Sequence, residues 1–388
     1  MKHRAGALSV LLAASLALVP STVAHADGIR AQQWALDAMH TQQAWQTTKG
    51  KGITVAVLDT GVEADHPDLV GNVLPAQDMI GFGAKQGDRA WARHGTAMAG
   101  IIAGHGHGPG NGDGVMGMAP EAKILPVRVI LEDGDAARGK ARSTRGNALA
   151  EGIRWAADHG ADVINLSLGD DSASAHPEPA EDEAVQYALK KNVSVVASAG
   201  NGGDKGDHVS YPAAYPGVIA ATAVDRFGIR ASFSTRRWYA TVSAPGDKIV
   251  IADPDHKYYE GWGTSAASAF VSGAVALIKA AHPGLTPAQI KQLLEDTARN
   301  PPTGGRDDSR GFGMIDPAAA IKAAGRLKPK ALQAASYGDK YFGSGPDAAT
   351  SDGGTSDWAA PLAGTLGGAL LVAAVFLWRG RRPRFDGF

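Results

Sequence analysis

The sequence predicts an α/β domain built on a mostly parallel central sheet with helices on both faces, followed by a C-terminal transmembrane helix. From Ile53 onward, apolar runs of strand length alternate with segments of helical periodicity, the pattern of strands joined by helical crossovers. The stretch Gly263-Thr264-Ser265-Ala266-Ala267-Ser268-Ala269-Phe270-Val271-Ser272-Gly273 reads as a glycine-led turn entering a buried helix of small residues. Near the other end, Trp358 to Trp378 runs 21 residues without a charge. With 388 residues, 44% of them hydrophobic and 20% charged, the chain can bury a large core.

In chain order, residues 1–26 read as a secretory signal peptide. Lys2, His3 and Arg4 form a basic start, Ala5 to Val19 an apolar stretch, and Ala24-His25-Ala26 a small-x-small cleavage site. An N-terminal membrane anchor is the alternative, against which stand the short apolar stretch and the cleavage site. The mature domain, 27–324, then begins near Asp27. Expected strands are Ile53 to Leu58, Lys123 to Val129, Asp162 to Ser167, Val193 to Ser198 and Val218 to Ala223. Between Ser143 and Gly160, Leu149, Gly152, Ile153 and Ala156 recur on one helix face, with Ser or Thr as the cap and Gly as the stop. Thr286-Pro287-Ala288-Gln289 carries a cap, a proline at the first helical position and a glutamine at the third, which predicts a capping box.

Residues 325–357, rich in Gly, Ser, Ala and Asp, read as a flexible linker. A helix over 358–378 measures about 32 Å at 1.5 Å per residue, matching a hydrocarbon core of roughly 30 Å. Tryptophans mark both of its ends. Arg379, Arg381, Arg382 and Arg384 in the basic tail, 379–388, put the C-terminus in the cytoplasm. The expected protein is thus single-pass in the cell membrane with its domain outside. The absence of cysteine excludes disulfides, zinc-thiolate sites and cysteine nucleophiles, and a net charge of -1 offers nothing to nucleic acid.

A serine hydroxyl becomes a nucleophile when a base lies within hydrogen-bond reach and a third group orients that base. Ser265 has two such partners upstream: Asp59, which ends the apolar run Val55-Ala56-Val57-Leu58, and His94, which opens a helix of small residues. Each alone has a plainer reading, as a turn aspartate, a capping histidine and a loop serine. In the order Asp, His, Ser they match one of the chain orders in which this triad recurs and differ from the Ser, Asp, His order of α/β-hydrolases. Asn201, after the strand end Ser198-Ala199-Gly200, is the candidate side-chain donor to an oxyanion, with the Ser265 backbone N–H as the second. Asp59-Thr60-Gly61 also fits an aspartic protease. That chemistry needs two carboxylates, and no second Asp-Thr-Gly or Asp-Ser-Gly occurs.

Leu58-Asp59-Thr60-Gly61-Val62, His94-Gly95-Thr96, Ser198-Ala199-Gly200-Asn201 and Gly263-Thr264-Ser265 resemble the motifs of subtilisin-like serine proteases (subtilases), over roughly Trp34 to Ala324. The resemblance implies a three-layer subtilisin-like fold and peptide-bond hydrolysis through an acyl-enzyme, with Asp59, His94 and Ser265 catalytic and Asn201 in the oxyanion hole. It also implies that Ser167, Leu168 and Gly169 pair with an extended peptide, with Ala199 and Gly200 across the primary pocket. Gly311 to Asp316 resembles the family's closing segment. Three positions depart from the family pattern: Ala97 replaces the second histidine of His-Gly-Thr-His, and Ala266 and Ala269 replace the Met and Pro that follow the serine. No separate folding pro-domain is expected, because too few residues separate the signal from the strand carrying Asp59. The chemistry requires no cofactor and no metal. For a structural calcium ion, the loop from Asp78 to Asp88 and the carboxylates Asp253 and Asp255 supply no dense ligand motif.

Signal peptide, subtilase domain, linker and anchor together resemble the mycosins, membrane-anchored subtilases associated with type VII secretion. This implies protein or peptide substrates, the lipid bilayer and a type VII secretion membrane complex as partners. Two alternatives stand beside it: a mainly structural component that stabilises such a complex, and a general cell-surface protease.

Overall fold

A computed structural model describes residues 28–330. The expected signal peptide, the linker from residue 331 onward, the transmembrane helix and the basic tail lie outside the described residues.

The chain enters through two short helices, α1 (Trp34–Ala38) and α2 (Thr41–Trp45). Side chains pin this entry to the body of the domain. Arg30 donates to the carbonyls of Asn111, Asp113 and Gly114 at 3.0, 3.2 and 3.1 Å, Gln33 exchanges two bonds with the Met116 backbone, and Trp45 Nε1 donates to the Met118 carbonyl at 2.8 Å. The first half continues through β1 (Thr54–Asp59), β2 (Gln77–Asp78), α3 (Arg93–Ala103), the hairpin β3 (His105–His107) with β4 (Asp113–Met116), and β5 (Lys123–Arg128). Then come α4 (Arg138–Thr144), α5 (Ala148–Asp158), β6 (Val163–Leu166), α6 (Pro179–Lys190), β7 (Ser194–Ser198), β8 (Ile219–Val224) and β9 (Ala240–Pro245). The hairpin β10 (Ile249–Ala252) with β11 (Tyr258–Gly261) leads into α7 (Thr264–Ala281), α8 (Pro287–Asp296) and α9 (Pro317–Ala324).

Seven strands form one sheet in the order β2-β5-β1-β6-β7-β8-β9, every pair parallel. The five expected strands are all present, each end within a residue of its expected place. The strand β9 and the two-residue β2 extend the sheet at its edges. Because side chains alternate across a strand, β1 sends Val55 and Val57 into one core and Ala56 and Leu58 into the other. The first core lies under α3, α7, α8 and α9, the second under α4, α5 and α6. Covering both faces explains why these strands read as continuous apolar runs.

The central helix is α7, buried along nearly its whole length. Among the described residues it is the one helix long and apolar enough to cross a membrane by length and composition, and here it fills the core. Its small-residue run lets it pack closely against α3 and against the strands β6 to β9. The capping box at α8 is formed: Gln289 N donates to Thr286 Oγ1 and Thr286 N to Gln289 Oε1, both at 3.3 Å. Gln289 also holds the first expected linker residues, bonding the backbone of Lys328 and Lys330.

The helix expected between Ser143 and Gly160 is α5, which carries Leu149, Gly152, Ile153 and Ala156 and is followed by Gly160 at φ 84°, but the expected cap is not formed. Ser143 and Thr144 do not cap α5; their hydroxyls bond back to the Lys140 carbonyl at the end of α4. Gly146 lies in the break between them, and α5 starts after Asn147 without a side-chain cap.

Candidate active site

Strand order reverses at β1, which lies between β5 and β6 although both follow it in sequence. In open parallel sheets such a switch point opens a crevice at the carboxyl ends of the strands. Three neighbouring strand ends, those of β1, β6 and β7, bring Asp59, Ser167 and Asn201 to this edge.

Asp59 is fully buried and accepts the Thr60 N–H at 2.7 Å. His94 Nδ1 lies 2.9 Å from both Asp59 carboxylate oxygens. An ionised carboxylate only accepts, so Nδ1 carries a proton, and in the neutral imidazole Nε2 is the acceptor. The turn of α3 that carries His94 docks directly on the end of β1. A Cβ at Gly95 would lie 1.9 Å from the Gly61 carbonyl oxygen, so only glycine fits there, and Gly95 N donates to Thr60 Oγ1 at 3.1 Å. Glu132 accepts the His94 backbone N–H at 2.7 Å, placing a negative charge at the N-terminus of α3, where the helix dipole favours it. Burial disfavours the charged imidazole, but Asp59 outweighs it, helped by Glu132 and Asp133, and raises the His94 pKa to about 9.

Ser265 occupies the first turn of α7, half-buried where the rest of that turn is buried. Gly263, at φ 142°, makes the turn that sets it there. The Ser265 hydroxyl donates to the Ser167 carbonyl at 3.0 Å, and among the described residues it makes no hydrogen bond to His94. Both side chains line the same cleft. Asn201 lies on the other side of Ser265. Its Oδ1 accepts the Thr264 N–H at 2.9 Å and the Thr264 hydroxyl at 3.0 Å, which fixes the amide so that Nδ2 is the free donor end. Asp171 accepts the Asn201 backbone N–H at 2.7 Å.

Below the serine runs a buried polar chain. Asn165 Nδ2 donates to Ser167 Oγ, which bonds the Ser265 carbonyl and the Ser268 hydroxyl, while Asn165 Oδ1 accepts from Ser272. Asn165, Ser268 and Ser272, with Glu132, Asp171 and Thr264, were not singled out as site residues in the sequence. One signal was available: Ser265, Ser268 and Ser272 recur at spacings of three and four on an otherwise apolar helix, which puts them on one face.

Of the five residues expected to hold substrate, Ser167 bonds Ser265 and Gly200 bonds Thr264 beside it. Ser198 Oγ donates to the Leu168 carbonyl at 3.3 Å, joining the two expected pocket walls. Gly169 precedes a bridge between Asp170 and Tyr211. Ala199 accepts from Tyr239 Oη and Gly200 donates to Thr264 Oγ1. None of the five lines the cleft cavity of about 250 Å³, which opens on the His94 side of Ser265. Among the described residues, no three His, Asp or Glu side chains are grouped to hold a metal ion.

A doubly covered parallel sheet that gathers Asp59, His94 and Ser265 at its switch point has the architecture of an α/β serine hydrolase. The model of the subtilase family, peptidase S8, matches residues 50–314, and the chain belongs to that family. It is 37% identical to fervidolysin of Fervidobacterium pennivorans over 318 residues, which is 74% of this chain and 43% of that relative, so it spans less than half of fervidolysin's length. Among solved structures it is similar to MycP1 with the N-terminal propeptide removed, at TM-score 0.63 and 32% identity, covering 74% of this chain and 96% of that one. It is also similar to the MycP3 protease from the type VII (ESX-3) secretion system, at TM-score 0.63 and 31% identity over 78% of this chain and 90% of that one.

Proposed function

We propose that the chain is a membrane-anchored serine endopeptidase that acts beside a type VII secretion complex. The observation that carries the catalytic part is the Asp59–His94 pair, with both carboxylate oxygens at 2.9 Å from Nδ1, facing a cleft that Ser265 shares. For attack, the Ser265 hydroxyl leaves the Ser167 carbonyl and turns to His94 Nε2, a tightening that substrate commonly induces. His94 takes the hydroxyl proton as Oγ bonds the scissile carbonyl carbon. The carbonyl oxygen becomes an oxyanion held by Asn201 Nδ2 and the Ser265 N–H. The C–N bond then breaks as His94 returns its proton to the leaving nitrogen. Water, deprotonated by the same imidazole, adds to the acyl carbon and releases the acid and the free serine. Asp59 stays ionised throughout and stabilises the imidazolium.

Ser167, Leu168 and Gly169 supply the edge along which an extended peptide lies, with Ala199 and Gly200 behind its primary side chain. The expected anchor at 358–378 supports a site facing outward from the membrane, and the likeness to MycP1 and MycP3 supports the secretion context. The test is fluorophosphonate labelling of the full-length chain in membranes, comparing wild type, Ser265→Ala and His94→Ala. Labelling of the wild type alone is the expected result. Equal labelling of all three, or of none, overturns the catalytic reading and favours a structural role in the complex.

A further inference from the structure

The cleft cavity lies on one side of the reacting bond. Asn201 and the edge formed by Ser167 to Gly169 bound the acyl side. The cavity touches none of those residues; His94, Ala97 and Met98 of α3, Ala266 of α7, and Ile251 and Trp262 line it instead. The leaving nitrogen receives its proton from His94, so the peptide beyond the scissile bond departs on this side. The lining includes Ala97 and Ala266, two of the positions at which the sequence departs from the family pattern, and each has a methyl group where the pattern places a much larger side chain.

We infer that this cavity is a specificity pocket for a large apolar or aromatic residue immediately after the scissile bond. The inference rests on the endopeptidase reading above. A volume of about 250 Å³ exceeds the roughly 150 Å³ in which an apolar protein cavity holds benzene. Ala97, Ala266, Met98 and Ile251 supply methyl, thioether and aliphatic groups to its lining. Trp262 is 63% exposed at its lip, with the Phe233 ring behind it at 4.8 Å between centroids, and so presents a supported aromatic face for stacking. The two carboxylates in the lining are already engaged: Glu132 by the His94 N–H at 2.7 Å and Asp253 by Arg93 at 2.6 Å. Asp253 is thereby neutralised, while Glu132 keeps its charge, and a peptide with Lys after the scissile bond tests whether it selects a basic side chain instead.

The test uses the full-length chain in detergent and internally quenched peptides that differ only in the residue after the scissile bond: Gly, Ala, Leu, Phe, Trp, Lys or Asp. The expected kcat/KM for Phe or Trp is at least about tenfold above Gly, the scale of burying one such side chain. Ala97→Leu and Ala266→Met, each filling the cavity from a different helix, are expected to bring the Phe-to-Gly ratio towards one, with thermal melts to verify folding of each. A flat profile in a wild type that labels with fluorophosphonate, a preference for Lys, or a ratio unchanged in both folded variants overturns the pocket and leaves the endopeptidase reading standing. A wild type that neither labels nor cuts any peptide overturns both.

Discussion

The carboxylate of Asp59, sealed from solvent, meets Nδ1 of His94 with both oxygens at 2.9 Å, a contact that favours the charged imidazole. Burial alone would lower the imidazole; the ion pair carries it up to about 9. Only neutral His94 can accept the serine proton. Below about pH 9 the free enzyme therefore holds most of its base in the wrong protonation state, and kcat/KM rises with pH through that value. Asp59→Asn removes the charge and also the tautomer control. The expected result is a limb shifted to lower pH with a rate reduced by about 10⁴-fold, the loss found for the equivalent change in another serine protease. Stopped-flow hydrolysis of one peptide ester, followed from about pH 6 to about pH 10 so that both limbs are covered, measures both.

Stability follows the opposite course on the alkaline side. The folded state of His94 binds its proton more tightly than the unfolded chain does, so the stabilisation is complete below about pH 6.5 and is lost as pH rises through about 9. His66 acts on the acid side. It is fully buried, its Nδ1 accepts the Asp68 N–H at 3.1 Å, its Nε2 has no partner among the described residues, and the rings of His256 and Tyr258 stand edge-on beside it. Burial lowers its pKa to about 4, against the pull of Asp68 and Asp253 and with the help of His256 and His107. The unfolded chain therefore binds more protons between about pH 6.5 and about pH 4, and His66 contributes a loss on the order of 3 kcal/mol across that window as pH falls. Urea titrations on a Ser265→Ala background are expected to place maximum stability near pH 6.5, where the two histidine limbs meet. His66→Phe should flatten the acid limb and leave the alkaline limb alone; an acid limb of unchanged slope would exclude His66 as its cause.

Most of the sheet was legible because its strands are short, rich in β-branched residues and buried on both faces: Thr54 to Leu58 and Ser194 to Ala197 fit no other element. The strand β9 escaped because Ala240-Thr241-Val242-Ser243-Ala244-Pro245 has few large apolar residues, and its pairing with β8 is decided by the fold. The three expected triad positions could be picked out as motifs, and the structure brings Asp59 into contact with His94 and places His94 and Ser265 on one cleft. Their supports were not legible, because Glu132 reaches His94 across 38 positions, Asp171 reaches Asn201 across 30 and Ser167 reaches Ser265 across 98. No local pattern encodes such pairs. The turn of the Ser265 hydroxyl towards Ser167 is likewise a choice among staggered rotamers made by the surrounding packing.

Thr264 holds Asn201 from two directions, through its backbone N–H and its hydroxyl, and the consequences of breaking each hold can be separated. Asn201→Ala removes the Nδ2 donor itself. The expected loss in kcat is about 10²- to 10³-fold with KM little changed, a magnitude carried over from another subtilase rather than obtained from this geometry. Thr264→Val keeps the buried shape and the backbone bond but deletes the hydroxyl that steadies Oδ1 and accepts the Gly200 N–H. Asn201 then keeps one of its two restraints, so the donor is still present but is held less firmly, and a loss of about tenfold in kcat is expected. Thr264→Ser restores the hydroxyl and should restore the rate. If Thr264→Val instead lowers only the melting temperature, with acylation unchanged in a burst experiment, the threonine serves the fold and does not position the oxyanion donor.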